Sequence, residues 1–372
     1  MAAARPILIG SEVYRHSSYG PKHPLAIPRV STAIDLIRAQ GWLQPGQYRE
    51  GPMADAAALA RFHDPDYVAA VQDAERDQDL DPARRQRHNL GGVENPIFGE
   101  VFRRPATACG SSLLGAGLLA EADEGAVVYN PAGGLHHGRP DRASGFCYFN
   151  DPALAILALL DRGIDRIAYL DVDAHHGDGV QDAFAGEPRV LTVSVHEAKR
   201  WPFTGAVDDR GGGNARNLAV PRELNDDEMA AIRDDALLPL VDRFRPQVVL
   251  LQCGADALHD DPLSRLSLSN HALWDVVGAV RRVAPRLLVL GGGGYNPWTV
   301  GRCWAGVWAM LAGLDPTAPL TDAARKVLSG LSWSRRRGLP PEPHWFDRMD
   351  DPPRPGPVRP EIREMIRAVT AP

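Results

Sequence analysis

The chain has 372 residues, 44% of them hydrophobic, enough to bury a large core in one or two domains. Its 41 basic and 47 acidic side chains leave a net charge of −6 without long runs of one sign, so neither nucleic acid nor an anionic membrane is expected as a partner. Cys109, Cys147, Cys253 and Cys303 are far apart with no C-x-x-C pair, against a structural zinc or a disulfide framework, and no apolar stretch suits a signal peptide or a membrane helix; a cytoplasmic location is the expectation.

Short apolar runs that end in glycine and polar residues recur along the chain: GAVVYNPAGGLHHG (125–138), RIAYLDVDAHHGDG (166–179), RVLTVSVHE (189–197), QVVLLQCGADALHDDP (247–262) and RLLVLGGGGYN (286–296). Four to seven Val, Leu and Ile residues without alternation predict strands buried on both faces of a parallel sheet. Helices are predicted at 151–163, with Asp151 as N-cap and Pro152 in the first turn, and at 225–244 and 270–283. Strands alternating with helices make an α/β fold with a mainly parallel sheet, here a single domain over residues 1–318. Residues 319–372, rich in Pro and Arg, are expected to form an extension packed on the domain surface and closed by a short helix at EIREMIRAV.

Ligands of open α/β sheets bind outside the carboxyl ends of the strands, and there the polar clusters fall. YLDVDAHHGDGV (169–180) crowds three aspartates and two histidines together, at a cost in desolvation and repulsion unless a cation sits among them. If the chain stays extended, Asp171, Asp173 and His175 point to one side, so Asp173 and His175 can hold one ion with Asp256 as third ligand. One His and two Asp leave open positions for water and substrate, as in catalytic zinc sites, and the same donors suit Fe2+, Co2+ or Mn2+. His136 and His137 then read as general acid and base, with Asp171 and Asp178 free to orient them. GGGGYN reads as a flexible elbow that carries the Tyr295 hydroxyl to the metal as an oxyanion donor. Helix-capping acids and core histidines are the plainer alternative, and the clustering at several strand ends weighs against it.

GGLHHG, SGFCYFND, YLDVDAHHGDGV, TVSVH, GAD and GGGGYN, in this order, resemble the zinc-dependent histone deacetylase superfamily, which includes bacterial acetoin-utilisation-type deacetylases and acetylpolyamine amidohydrolases; the resemblance runs over roughly residues 14 to 315. It implies the three-layer arginase-deacetylase fold with a strand-end active site, and Zn2+ on Asp173, His175 and Asp256. It also implies a structural K+ at Asp171, Asp173, His175 and Ser194, His136 and His137 as paired catalytic histidines backed by Asp171 and Asp178, and Tyr295 polarising the acetyl carbonyl. Gly145, Phe146 and Trp201 match the walls of the family's substrate tunnel. The implied activity is hydrolysis of acetyl or other short acyl groups from lysine side chains of proteins, or from a small acetylated amine; the oligomeric state is left open.

Departures from the family pattern bear on the substrate. Glu94 stands where many lysine deacetylases carry a rim Asp, and Phe203 in WPFTG replaces a Gly at the mouth. Asp178 follows the family's class I, where class II has Asn. Leu263 occupies the position of the Glu gatekeeper of eukaryotic-type polyamine deacetylases, which disfavours a polyamine, although an acetylpolyamine amidohydrolase stays the alternative. A binuclear manganese hydrolase of arginase type is disfavoured because Ala257 and Leu258, rather than a second carboxylate, follow Asp256. A silent acyl-lysine binding module is disfavoured by the presence of His136, His137 and Tyr295.

Overall fold

The computed structural model describes residues 5–333 and 340–371. Eight strands, β1 (Ile7–Gly10), β2 (Tyr48–Glu50), β3 (Val127–Asn130), β4 (Ile167–Asp171), β5 (Val190–Glu197), β6 (Ala215–Val220), β7 (Val248–Gln252) and β8 (Leu287–Leu290), make one sheet in the order β2-β1-β3-β8-β7-β4-β5-β6. Every pair in it is parallel. All five apolar runs read from the sequence contain a strand. The other three were not read as strands: β1 is four residues close to the start of the chain, β2 is a three-residue, mostly exposed edge strand, and edge strand β6 carries Arg216 and Asn217.

Helices cover both faces, which is why the central strands lack alternation. In β4, Ile167 and Tyr169 face a core with the helices Arg103–Glu121 and Asp151–Leu160, while Ala168 and Leu170 face a larger core with Arg29–Ala39, Asn270–Val283 and Pro297–Ala312. The run 225–244 is helical from Asp226 to Phe244 but carries a π turn at Arg233–Leu237, which ends two residues before Pro239, whose ring cannot continue an ordinary hydrogen-bond ladder. Beyond residue 318 come the helices Asp322–Ser329, His344–Asp347 and Pro360–Thr370; Trp345, Met349, Ile362 and Val369 are buried in the larger core. Residues 334–339 of the expected extension lie outside the described residues.

One register row decides where function can sit. Asn130 pairs with Leu290, Leu290 with Gln252, Gln252 with Asp171, and Asp171 with Ser194, so β3, β8, β7 and β4 end level and β5 runs on to Glu197. The segments carrying His136, Tyr295, Asp256, His175 and His196 leave this row on the same edge.

Candidate active site

β4 stops at Asp171, and from there the aspartates part company. Asp171 turns to His136, whereas Asp173 and His175 meet Asp256 from the end of β7: His175 Nδ1 lies 2.9 Å from Asp256 Oδ2 and 3.3 Å from Asp173 Oδ1. Ligand atoms of Asp173, His175 and Asp256 all lie within 4.8 Å of one another, and all three residues are buried; among the described residues this is the one such group. Burial, and then the charge of Asp173, push the Asp256 carboxyl above its ordinary range. Two buried carboxylates and an imidazole closing on one point are suited to a divalent cation, which would relieve that repulsion.

His136 and His137 stand with ring centroids 3.9 Å apart. Each donates its Nδ1 proton over 2.7 Å to a buried carboxylate, His136 to Asp171 and His137 to Asp178. The loop that carries them is pinned by Asp151, which accepts from the Gly134 and Leu135 amides and from the Ser112 hydroxyl at 2.6 Å. The N-cap reading of Asp151 is thereby corrected: Asn150 caps the helix through the Ala153 amide, and Asp151 is turned back to the loop. Arg139, which sequence reasoning passed over, ion-pairs with the far oxygen of Asp178 and with Asp182. Its place two residues after His137 was the available signal, but its partner is 39 residues away in the chain.

The glycine elbow is packed rather than flexible. Gly292 and Gly294 have φ of +131° and +135°, and a Cβ on Gly293 would collide with Asp256 Oδ2. The Gly293 amide donates to Asp173 Oδ2 at 2.6 Å, and buried Arg29, also unforeseen, donates to the Gly292 carbonyl at 2.6 Å. Tyr295 is fixed through its amide to Asp261 Oδ2 at 2.6 Å, and burial raises its phenol well above the ordinary value, keeping it a proton donor.

A cavity of about 380 Å³ opens over this cluster. The expected residues Gly145, Phe146, Trp201, Glu94 and Leu263 all line it, and His137, His175 and Tyr295 form its polar end. Gly145 has φ +54°, and a Cβ there would strike Trp201 and His137, so only glycine fits. Glu94 accepts from the Gly145 amide at 2.8 Å and from Asn89 at 3.3 Å, holding the wall as well as facing the opening. Phe203 is 75% exposed and lies outside the lining, and its amide donates to the carbonyl of Arg200, which does line the mouth. His196 is placed apart, bonded to Ser194 and the Gly205 carbonyl.

The histone deacetylase domain model matches residues 23–311. The chain belongs to the histone deacetylase family. It is 35% identical over 305 residues to histone deacetylase 6 of Arabidopsis thaliana, covering 80% of this chain and 64% of that protein. It spans about three fifths of the length of several such eukaryotic relatives. It is 31% identical to the acetoin utilization protein AcuC of Bacillus subtilis (strain 168), over 96% of this chain and 94% of that one. The crystal structure of a histone deacetylase homolog from Aquifex aeolicus superposes with a TM-score of 0.93 at 34% identity, covering 99% of this chain and all of that one. A homolog complexed with SAHA gives 0.92. Together with the parallel sheet flanked by helices, these establish the arginase-deacetylase fold.

Proposed function

We propose that this deacetylase-family chain is a mononuclear zinc amidohydrolase that removes acetyl or other short acyl groups from lysine side chains. One observation carries the reading: the buried Asp173, His175 and Asp256 cluster lies at the end of an apolar-walled cavity where His137 and Tyr295 also emerge. Those three residues would hold the ion, with Fe2+ or Co2+ as substitutes. When bound, such an ion polarises a carbonyl and lowers the pKa of water. The resemblance adds a structural K+, for which Asp171 and Ser194, register partners on β4 and β5, are the natural floor.

The chain's own groups supply the rest. His137, neutral and facing the cavity, accepts the proton of the attacking water as the C–O bond forms. The Tyr295 hydroxyl, which has no hydrogen bond among the described residues, donates to the oxyanion of the tetrahedral intermediate. The histidine pair returns a proton to the nitrogen as the C–N bond breaks, and acetate and free amine leave.

Phe146, Trp201 and Leu263 suit a neutral acylated butyl chain. A second ammonium buried among them without a carboxylate would cost several kcal/mol; Glu94, bonded to Gly145 and Asn89 but with acceptor sites to spare, is the one acid of the lining that such an ammonium could reach. Metal analysis with kcat/KM for acyl-lysine peptides beside acetylputrescine and acetylspermidine tests this. One tightly bound transition metal and a lysine preference are expected. A tenfold polyamine preference lost in Glu94→Gln would overturn the lysine reading, and two essential ions per chain the mononuclear one.

A further inference from the structure

A second cleft, of about 560 Å³, lies beside the active-site mouth and carries Arg222, Arg265, Arg354 and His259. The two cavities share one loop: Leu263 lines the first, Ser264 and Arg265 the second. Two peptide units separate Leu263 from Arg265, so their Cα atoms are no more than about 7.6 Å apart. Ser264 fixes that loop by donating to the Asp256 carbonyl at 2.5 Å.

One buried carboxylate, Glu197, ties Arg222 and the Arg265 backbone of the cleft to Arg200 at the mouth. Glu197 accepts from Arg200 at 2.9 and 2.8 Å and from the Arg265 amide at 2.8 Å, and Arg222 stands 3.6 Å away. Glu197 thus joins the cleft to the mouth, where Arg200 lies, and a single negative charge there meets two guanidiniums. The Arg265 guanidinium has no partner among the described residues and is exposed; Arg354 reaches only the Ser267 hydroxyl, at 3.0 Å. The one acid lining the cleft, Glu223, lies within the electrostatic reach of Arg359. His259 and Arg354 also line a neighbouring cavity with Asp260, Glu342 and Asp351, so the positive charge that the cleft offers a ligand is carried by Arg222 and Arg265.

We infer that this basic cleft recognises an acidic segment flanking the acyl-lysine of a protein substrate, with aspartate or glutamate two to four residues from the modified lysine. An extended peptide rises about 3.3 Å per residue, so such side chains reach Arg265 and Arg222 while the acyl-lysine occupies the cavity. Guanidiniums pair with carboxylates in fork geometry, which gives the cleft its selectivity for anions. The inference rests on the acyl-lysine reading above.

The test compares kcat/KM for three acetyl-lysine peptides, with two glutamates, two alanines or two lysines within four positions on either side, and for a small neutral acetyl-lysine amide. The glutamate peptide is expected to be at least about tenfold better than the alanine peptide at low salt, with the advantage shrinking as salt screens it. Arg265→Glu and Arg222→Glu should abolish or invert that order and leave the small amide unchanged. Equal rates for all three peptides beside good turnover of the small amide would overturn the basic-cleft inference alone. No turnover of any acetyl-lysine compound would instead overturn the proposed function.

Discussion

His136 and His137 touch ring to ring and are pushed to opposite protonation states. Burial works against charge on both. For His136 the neighbouring charges of Asp171 and Asp173 prevail and raise it to about 9; for His137 burial, joined by the charge of His136, lowers it to about 3. Without a metal ion, these shifts make the pair one imidazolium and one free base near neutral pH, the two forms that acid–base chemistry at an amide uses. Part of what holds His136 up is the charge of Asp173, so binding of a divalent ion there should lower it. Imidazole NMR titrations of the metal-free and zinc-loaded protein check this, and a His136 value that rises on loading contradicts it. His137→Ala should lower kcat by ~10²–10⁴ with metal content retained.

Arg139 holds Asp178 from behind. Burial alone would raise the Asp178 carboxyl, yet the His137 hydrogen bond and then the charges of His137 and Arg139 keep it at about 2. Without the guanidinium the carboxylate takes up a proton more readily, so Arg139→Gln should move the acid limb of kcat/KM to higher pH and cost activity, and Arg139→Lys should restore part of both. An unmoved acid limb in Arg139→Gln would show that the pair serves only the fold.

Tyr295→Phe removes one donor to the oxyanion and leaves the ring packed against Phe146, whose centroid is 5.9 Å away. The expected loss is ~10²–10³ in kcat, with KM and metal content nearly unchanged. Steady-state kinetics at saturating metal make the measurement.

Gly293→Ala places a methyl against Asp256 Oδ2, and Gly254→Ala places one against Asp173 Oδ2. Each should weaken metal retention and cost about 1–3 kcal/mol of stability. Competition with a chelator and thermal melts report the two effects. Metal affinity equal to the parent's would mean that the carboxylates yield without loss.

His63 bonds the Arg139 carbonyl at 2.9 Å and accepts the Asn150 amide at 3.0 Å, and burial lowers it from 6.5 to about 4. The unfolded chain takes up this proton first as pH falls, so stability present above pH 6.5 is lost between 6.5 and about 4, by about 3 kcal/mol from this group. Urea denaturation of the metal-free protein across that range should show the decline, shallower in His63→Gln. Identical slopes in both proteins would remove His63 as the cause.

Much of this was legible in the sequence because the signals are local. Unbroken Val and Leu runs, imposed by burial on both faces, marked the five central strands, and the spacing of Asp173 and His175 already placed two ligand candidates on one side of an extended strand end. Asp256, His136, His137 and Tyr295 could be assembled because each follows directly on a strand, and parallel strands deliver their ends to one edge. What tertiary structure alone decided lies in partners distant along the chain. Asp151 sits like a helix cap and binds the histidine loop; Arg139 acquires meaning only against Asp178; Arg29, from near the start of the chain, and Asp261 fix the tyrosine elbow from two separate segments. The glycine run looked like freedom of movement and is room for the carboxylates of Asp173 and Asp256. Local pattern records which face of an element is buried, whereas the partner of a charged side chain is chosen by how the elements pack, and desolvation makes that choice costly to leave unmet.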